Sequence, residues 1–228
     1  MNRFTLRSGS GSKGQSFVEL SLVVLLLMML VVGIAEFGVL LNRYLNLLDG
    51  VREAARYGAN YDPFAPCVPD SSGVVHGTVD SDGVCSDYYQ SSAQEATAVL
   101  SPIVLNPSLN ANPALNDDIV ISIAVLANGN FCRFPTSGSG QDGWSWSKNV
   151  MGLASPNHVS VQNNAFIQSR MDATAPEVSL VLVEIFYNYP QTLKAPFYEQ
   201  VFPDPVPVYI YAIMPLKNAN PPGGICHT

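Results

Sequence analysis

The sequence predicts an α+β fold: a long N-terminal helix, one short helix and an antiparallel sheet of three to four strands. Three observations lead there. An apolar run near the N-terminus passes without a break into a stretch with helical periodicity. Two late segments are rich in β-branched and aromatic residues. Of the 228 residues, about 165 remain beyond the helix, within the ~100–200 expected of one domain.

The helix comes first. Leu20 to Ala35 carries no charge, and with Glu19 and Glu36 at its borders it approaches the ~17–25 residues that span hydrocarbon. A membrane span of about 17–41 is expected. Arg3, Arg7 and Lys13 precede Gln15 with no acid among them, so the positive-inside bias puts the N-terminus in the cytoplasm and the rest of a single-pass chain outside. A secretory signal peptide would instead close a shorter apolar core with a small-residue cleavage site. Beyond Glu36, Phe37, Leu40, Leu41, Tyr44, Leu45, Leu48, Val51 and Ala55 recur at three- and four-residue steps, extending the helix to about Tyr61. Such a helix is roughly 70 Å long at ~1.5 Å per residue. Asp49/Arg52 and Glu53/Arg56 are spaced for ion pairs along it, and its apolar stripe requires a partner.

Tyr61 to Ser92 is rich in Pro, Gly, Ser and Asp and reads as irregular. Ser92 with Glu95 has the spacing of a capping box, which starts a short helix that ends near Leu100, before Pro102. Ile119 to Leu126 reads as a strand, and Phe131 to Asn149 as a second Gly/Ser-rich loop. Val178 to Tyr187 is too apolar to face water on either side and is expected as a central strand over the long helix. Val206 to Met214 is its partner, with Pro207 favouring an edge or a strand start.

Charge is unevenly divided. Residues 1–56 hold six Lys/Arg against four acids, a balance of +2, and the rest holds five against fourteen, a balance of −9. An acidic outer domain repels nucleic acid. Cys67, Cys85, Cys132 and Cys226 all lie beyond the helix, where an oxidising compartment allows two disulfides in three connectivities. Cys67 with Cys85 would close the acidic loop, and Cys132 with Cys226 would tie down the C-terminal tail. The absence of Cys-x-x-Cys spacing disfavours a metal site.

Other motifs are weighed against plainer readings. Asp80-Ser81-Asp82-Gly83 with Asp87 opens like a calcium loop but lacks the terminal glutamate, so a solvated turn is expected. Gly138-Ser139-Gly140 lacks the outer glycine spacing of a nucleophile elbow. His76, His158 and His227 have no visible catalytic partner. Trp144 and Trp146 either form a binding tip or fold back onto the sheet. No catalytic residue, cofactor or metal is expected, and the chain reads as non-enzymatic.

Gly14-Gln15-Ser16-Phe17-Val18-Glu19 is the pattern of a prepilin signal: a glycine, four uncharged residues, a glutamate and then a membrane-length helix. Cleavage after Gly14 would make Gln15 a new N-terminus whose ammonium can neutralise Glu19. Left unpaired near mid-membrane, that carboxylate would cost about 2.5–3.5 kcal/mol. The organisation expected is a leader over 1–14, the helix over 15–61 and an extracytoplasmic domain over 62–228.

This motif, Gly33-Ile34-Ala35-Glu36-Phe37-Gly38 and Val51-Arg52-Glu53-Ala54-Ala55-Arg56-Tyr57-Gly58-Ala59 together resemble the TadE-like pseudopilins of tight-adherence pilus systems over about the first sixty residues. The apolar run lacks the proline frequent in that family, which implies a straighter helix. The resemblance implies a minor pilin or pseudopilin in the cell membrane or the pilus, which takes part in assembling or priming a type IV-like filament as a homo- or hetero-oligomer. It implies a prepilin peptidase, other pilins and an inner-membrane assembly platform as partners, and assembly roles for Glu19, Glu36, Arg52, Glu53, Arg56 and Tyr57. The alternatives are the polymerising shaft pilin and a membrane-anchored binding domain.

Overall fold

The computed structural model describes residues 12–64, 67, 78, 83–127, 129–135, 143–172, 174–175, 177–194 and 203–217. Helix α1 runs from Ser12 to Asn60 without interruption, as an apolar run with no internal proline allows. Helix α2 spans Ser86–Val99. The sheet is built from β1 (Asp118–Ala127), β2 (Asn130–Phe134), β3 (Trp144–Ser145), β4 (Glu177–Tyr189) and β5 (Val206–Pro215), and two short helices, α3 (Trp146–Asn149) and α4 (Asn164–Gln168), lie between β3 and β4. The strands run in the order β2-β1-β4-β5, with β3 also paired to β1, and every pairing is antiparallel.

Alternation along the strands sorts side chains to two faces. Ile119, Ile121, Ile123 and Val125 of β1 join Val181, Val183, Ile185 and Tyr187 of β4 in the main core, where they meet Leu47, Val51, Ala54 and Ala55 of α1 and Tyr88, Tyr89, Ala93 and Ala96 of α2. The opposite face carries Ala124, Leu180 and Leu182, which pack with Ile167 of α4 and with Met171. Strand β4 is therefore central and buried on both sides, as its predominantly apolar sequence requires. Pro207 is the second residue of β5, an edge strand where a missing N–H is tolerated.

Two expected loops contain regular structure. Helix α2 begins six residues before Ser92, and Ser92 is buried mid-helix, with its hydroxyl donating to the Tyr88 carbonyl at 2.8 Å. The Ser92/Glu95 pair is thus not a capping box. The helix starts just after Cys85, which is bonded to Cys67, and Asp87 in its first turn suits the positive end of the dipole. Within the Gly/Ser-rich stretch, β2 returns along β1 with Ala127 opposite Asn130 and Gly129 at φ +79°. Asn-Gly is the favoured hairpin pair for this geometry.

The Cys67–Cys85 bridge closes an 18-residue separation, a constraint of about 3 kcal/mol in the chain-entropy model. Cys132 is also disulfide-bonded, whereas Cys226 lies outside the described residues. Trp144 folds back onto the sheet, where it pairs with Ile121 and stacks on Tyr89 at 5.6 Å. Trp146 packs partly buried against the same core.

Strand β3 approaches β1 so closely that a Cβ on Gly143 would lie 2.3 Å from Val120 Cγ1 and 2.8 Å from Ser122 Oγ. Gly143→Ala should therefore lower stability by about 2 kcal/mol, read as a Tm fall of roughly 4–8 °C for the full chain in detergent.

Candidate functional site

The inner part of α1 is apolar on every side, and among the described residues nothing covers it. Phe17 is 73 % exposed, and the side chains through Leu30 are exposed as well. The helix is long and apolar enough to cross a membrane. Gly14, Gln15 and Glu19 lie in its first turns and are exposed, with the Gln15 side-chain amide donating to the Glu19 carboxylate at 3.3 Å. The structure thus brings Gln15 and Glu19 together one helical turn apart.

Glu36 ends the uncovered run and is only 5 % exposed. Its carboxylate accepts hydrogen bonds from the Tyr189 hydroxyl at 2.8 Å, the Thr192 amide at 2.7 Å and the Leu193 amide at 2.9 Å. The corner after β4 thereby clasps the helix. A buried carboxylate requires such donors, and each bond to a charged group contributes about 1.5–3 kcal/mol. The corner is held in turn by the Gln191 amide donating to Asp204 Oδ1 at 3.1 Å and by the Gln191 side chain donating to the Pro203 carbonyl at 3.2 Å.

Beyond Glu36 the surface of α1 divides into three sectors. Leu47, Gly50, Val51, Ala54 and Ala55 are buried under the sheet and α2. A polar sector carries Asp49–Arg52 at 4.0 Å and Glu53–Arg56 at 2.6 Å. Both pairs lie at the surface, where ion pairs contribute little. The third sector holds Phe37, Leu41, Tyr44 and Leu45, all exposed and apolar. Tyr57 rests its ring against Tyr61 at 4.5 Å.

Two fully buried carboxylates on the other side of the sheet were not anticipated from the sequence. Asp118 accepts from the Ser145 and Ser147 hydroxyls, both at 2.8 Å, and from the amides of Ser147 at 2.9 Å and His158 at 3.1 Å. Glu184 accepts from the Tyr209 hydroxyl at 2.7 Å, the Val161 amide at 3.0 Å and the Ser160 hydroxyl. Arg133 donates to Ser160, to Ser122 at 3.0 Å and to the Gln162 carbonyl at 2.7 Å. These bonds hold the segment around α3 and the approach to α4 on the sheet. Burial and the bond to Glu184 both push the Tyr209 hydroxyl above its ordinary range, and burial pushes the Asp117 carboxyl up. The available signal was a charged residue beside or within each apolar strand, Asp118 at the start of β1 and Glu184 inside β4.

The Ser147, His158 and Asp118 neighbourhood is not a nucleophilic triad. The Ser147 hydroxyl is directed at Asp118, while the His158 ring stacks on Phe186 at 4.1 Å and its Nε2 meets the Asn116 carbonyl at 2.9 Å. Among the described residues no imidazole faces the serine, as that chemistry requires. Asp87 belongs to α2, whereas Asp80, Asp82, His76, His227 and Gly138 to Gly140 lie outside the described residues. Among the described residues no group of three or more His, Cys, Asp or Glu is placed to hold a metal.

Residues 14–56 match the family model described as TadE-like protein. This segment is TadE-like. No curated protein and no solved structure matches the chain. The TadE-like segment includes Glu19, the uncovered run, Glu36 and most of the face of α1 that enters the main core.

Glu36→Ala removes the acceptor of all three clasp bonds. Hydrogen exchange of the full chain in detergent should show the Thr192 and Leu193 amides exchanging at least about tenfold faster, with β1 and β4 amides unchanged.

Proposed function

We propose that the protein is a pseudopilin, a membrane-inserted subunit that enters or primes a thin pilus. The observation that carries this reading is a TadE-like α1 with an apolar sector, Phe37, Leu41, Tyr44 and Leu45, that its own head leaves uncovered. A span of about 17–41 accounts for Phe37 and Leu41 in a helix serving only as an anchor, but not for exposed Tyr44 and Leu45, which a subunit packing helix against helix requires. In this reading residues 1–14 are a leader removed by a prepilin peptidase after Gly14. The helix then spans the membrane from near Phe17, with the leader side in the cytoplasm and the head outside.

The ammonium of the new Gln15 terminus stands near Glu19 and neutralises it, on the same chain or on a neighbour. That pairing offsets the cost of a carboxylate in hydrocarbon and sets the depth at which subunits enter the filament. Other pilins or pseudopilins and an inner-membrane assembly platform are the partners. Head-to-tail helix contacts of this kind are heterologous and build an open filament. Cys132 pairs with Cys226 in the same outer, oxidising compartment that holds the Cys67–Cys85 bridge. Non-reducing peptide mapping of envelope protein should recover both linked pairs with no free thiol.

Glu19→Ala tests the reading in a complemented deletion strain. The segment becomes more apolar, so the protein should still insert and be cleaved to a Gln15 terminus by mass spectrometry, yet piliation should be lost. Normal piliation at native protein levels would favour a simple membrane-anchored domain.

Leu45→Asp addresses the uncovered sector beyond the membrane span. Thermal unfolding in detergent should change by no more than about 0.5 kcal/mol, as for a surface position, while piliation falls. Unchanged piliation would remove the sector from assembly.

A further inference from the structure

The head has one end that differs in chemistry from the rest of an acidic domain. Strand β4 finishes at Tyr189, whose hydroxyl reaches Glu36, so this end of the sheet sits beside the limit of the apolar run on α1. The loop before β1 closes the same end: the Asn188 amide donates to Asp117 at 2.8 Å and the Asn188 side chain to the Asn116 carbonyl at 3.0 Å. That loop is tied together by Asn106, Asn110, Asn116 and Asp117 through bonds of 2.6–2.9 Å.

Charge is nearly absent here. Between Glu95 and Asp117 there is no Asp, Glu, Lys or Arg, although the head as a whole carries −9. The described part of the corner after β4, residues 190–194 and 203–205, holds one lysine, Lys194, and one acid, Asp204. Among the described residues here, Leu109 at 57 % and Leu193 at 48 % exposure are large apolar side chains left uncovered. Lys194 stands beside Leu193, 4.0 Å from Asp204.

We propose that this end of the head lies on the bilayer that α1 spans, with Leu109 and Leu193 at the boundary between headgroups and acyl chains and Lys194 at the level of the lipid phosphates. The inference rests on the membrane-spanning reading of α1. Phe17 and Glu36 are nineteen residues apart, about 28 Å of helix against ~30 Å of hydrocarbon. Glu36 therefore falls at the outer interface, and its hydrogen bonds carry Thr192 and Leu193 to that level. The loop before β1, with no acid from Ala96 to Asn116, approaches anionic headgroups without repulsion, and Lys194, partly offset by Asp204 at 4.0 Å, is attracted to them. The bonds to Glu36 fix the height of the head, so the contact requires no further folding of the chain.

The experiment reads depth site by site in the full chain, reconstituted in vesicles of phosphatidylcholine and phosphatidylglycerol. Single cysteines at Leu27, Tyr61, Leu109 and Leu193, all exposed, are labelled with an environment-sensitive fluorophore after near-UV circular dichroism shows an unaltered fold. Spin-labelled lipid is the quencher. Leu27 reports the span, and Tyr61, at the far end of α1, reports water. Labels at Leu109 and Leu193 should be quenched at least about threefold more than the label at Tyr61, as befits side chains some 5–10 Å into the headgroup boundary. If Leu27 is quenched while Leu109 and Leu193 match Tyr61, the proposal is overturned and the anchor stands. If Leu27 itself escapes quenching, the spanning reading fails and the proposal fails with it.

Discussion

The face of α1 that carries Leu47, Val51, Ala54 and Ala55 lies under β4 and α2 in the main core. Because α1 is unbroken from Ser12 to Asn60, the element that forms the floor of the head is also the element that carries the uncovered apolar run. Burial of a side chain of this size contributes about 1.5–3 kcal/mol, so the outer half of the helix cannot leave the sheet without dismantling the core. The head is thus rigidly joined to the helix, with no linker between them. Whatever depth and tilt the inner half adopts, the head must follow.

Glu36 makes that junction directional. Hydrophobic packing along α1 is tolerant of small slides, because apolar contacts have no preferred direction. A carboxylate gripped by one hydroxyl and two amides tolerates far less, since hydrogen bonds weaken steeply when misaligned. The clasp therefore fixes where along the helix the head ends. It also explains why Glu36 is buried while Glu19, an acid of the same kind on the same helix, is exposed.

The buried carboxylates Asp118 and Glu184 do a comparable task on the other side of the sheet. In the segment between β3 and β4, Phe166, Ile167 and Met171 join the cluster behind the sheet and Trp146 packs against the main core, while Val150, Met151, Val159 and Val161 stay exposed. Satisfying Asp118 with two serine hydroxyls and two amides, and Glu184 with Tyr209, Ser160 and the Val161 amide, ties that segment down through directional bonds. Such networks stabilise only when every member finds its partner, so loss of a single hydroxyl is felt beyond its own position.

The sequence by itself determined α1, β1, β4, β5 and the α+β class, because each rests on a local signal: an uncharged run, a three- and four-residue period, or an unbroken set of β-branched and aromatic residues. It also contained the TadE-like pattern over 14–56. The spacing of Ser92 and Glu95 mimics a cap, whereas Ser92 lies fully buried inside α2 with its hydroxyl bonded to the Tyr88 carbonyl. Strand β2 was legible in Asn128-Gly129 and was hidden by the glycines and serines that follow it. Tertiary structure alone decided that Glu36 meets Tyr189, Thr192 and Leu193 and that Asp118 and Glu184 gather their donors. It likewise decided that the apolar periodicity of the outer helix divides into a buried face and an exposed sector. The physical reason is common to all three: these outcomes depend on partners far away along the chain, and periodicity reports that a side chain is apolar without reporting what covers it.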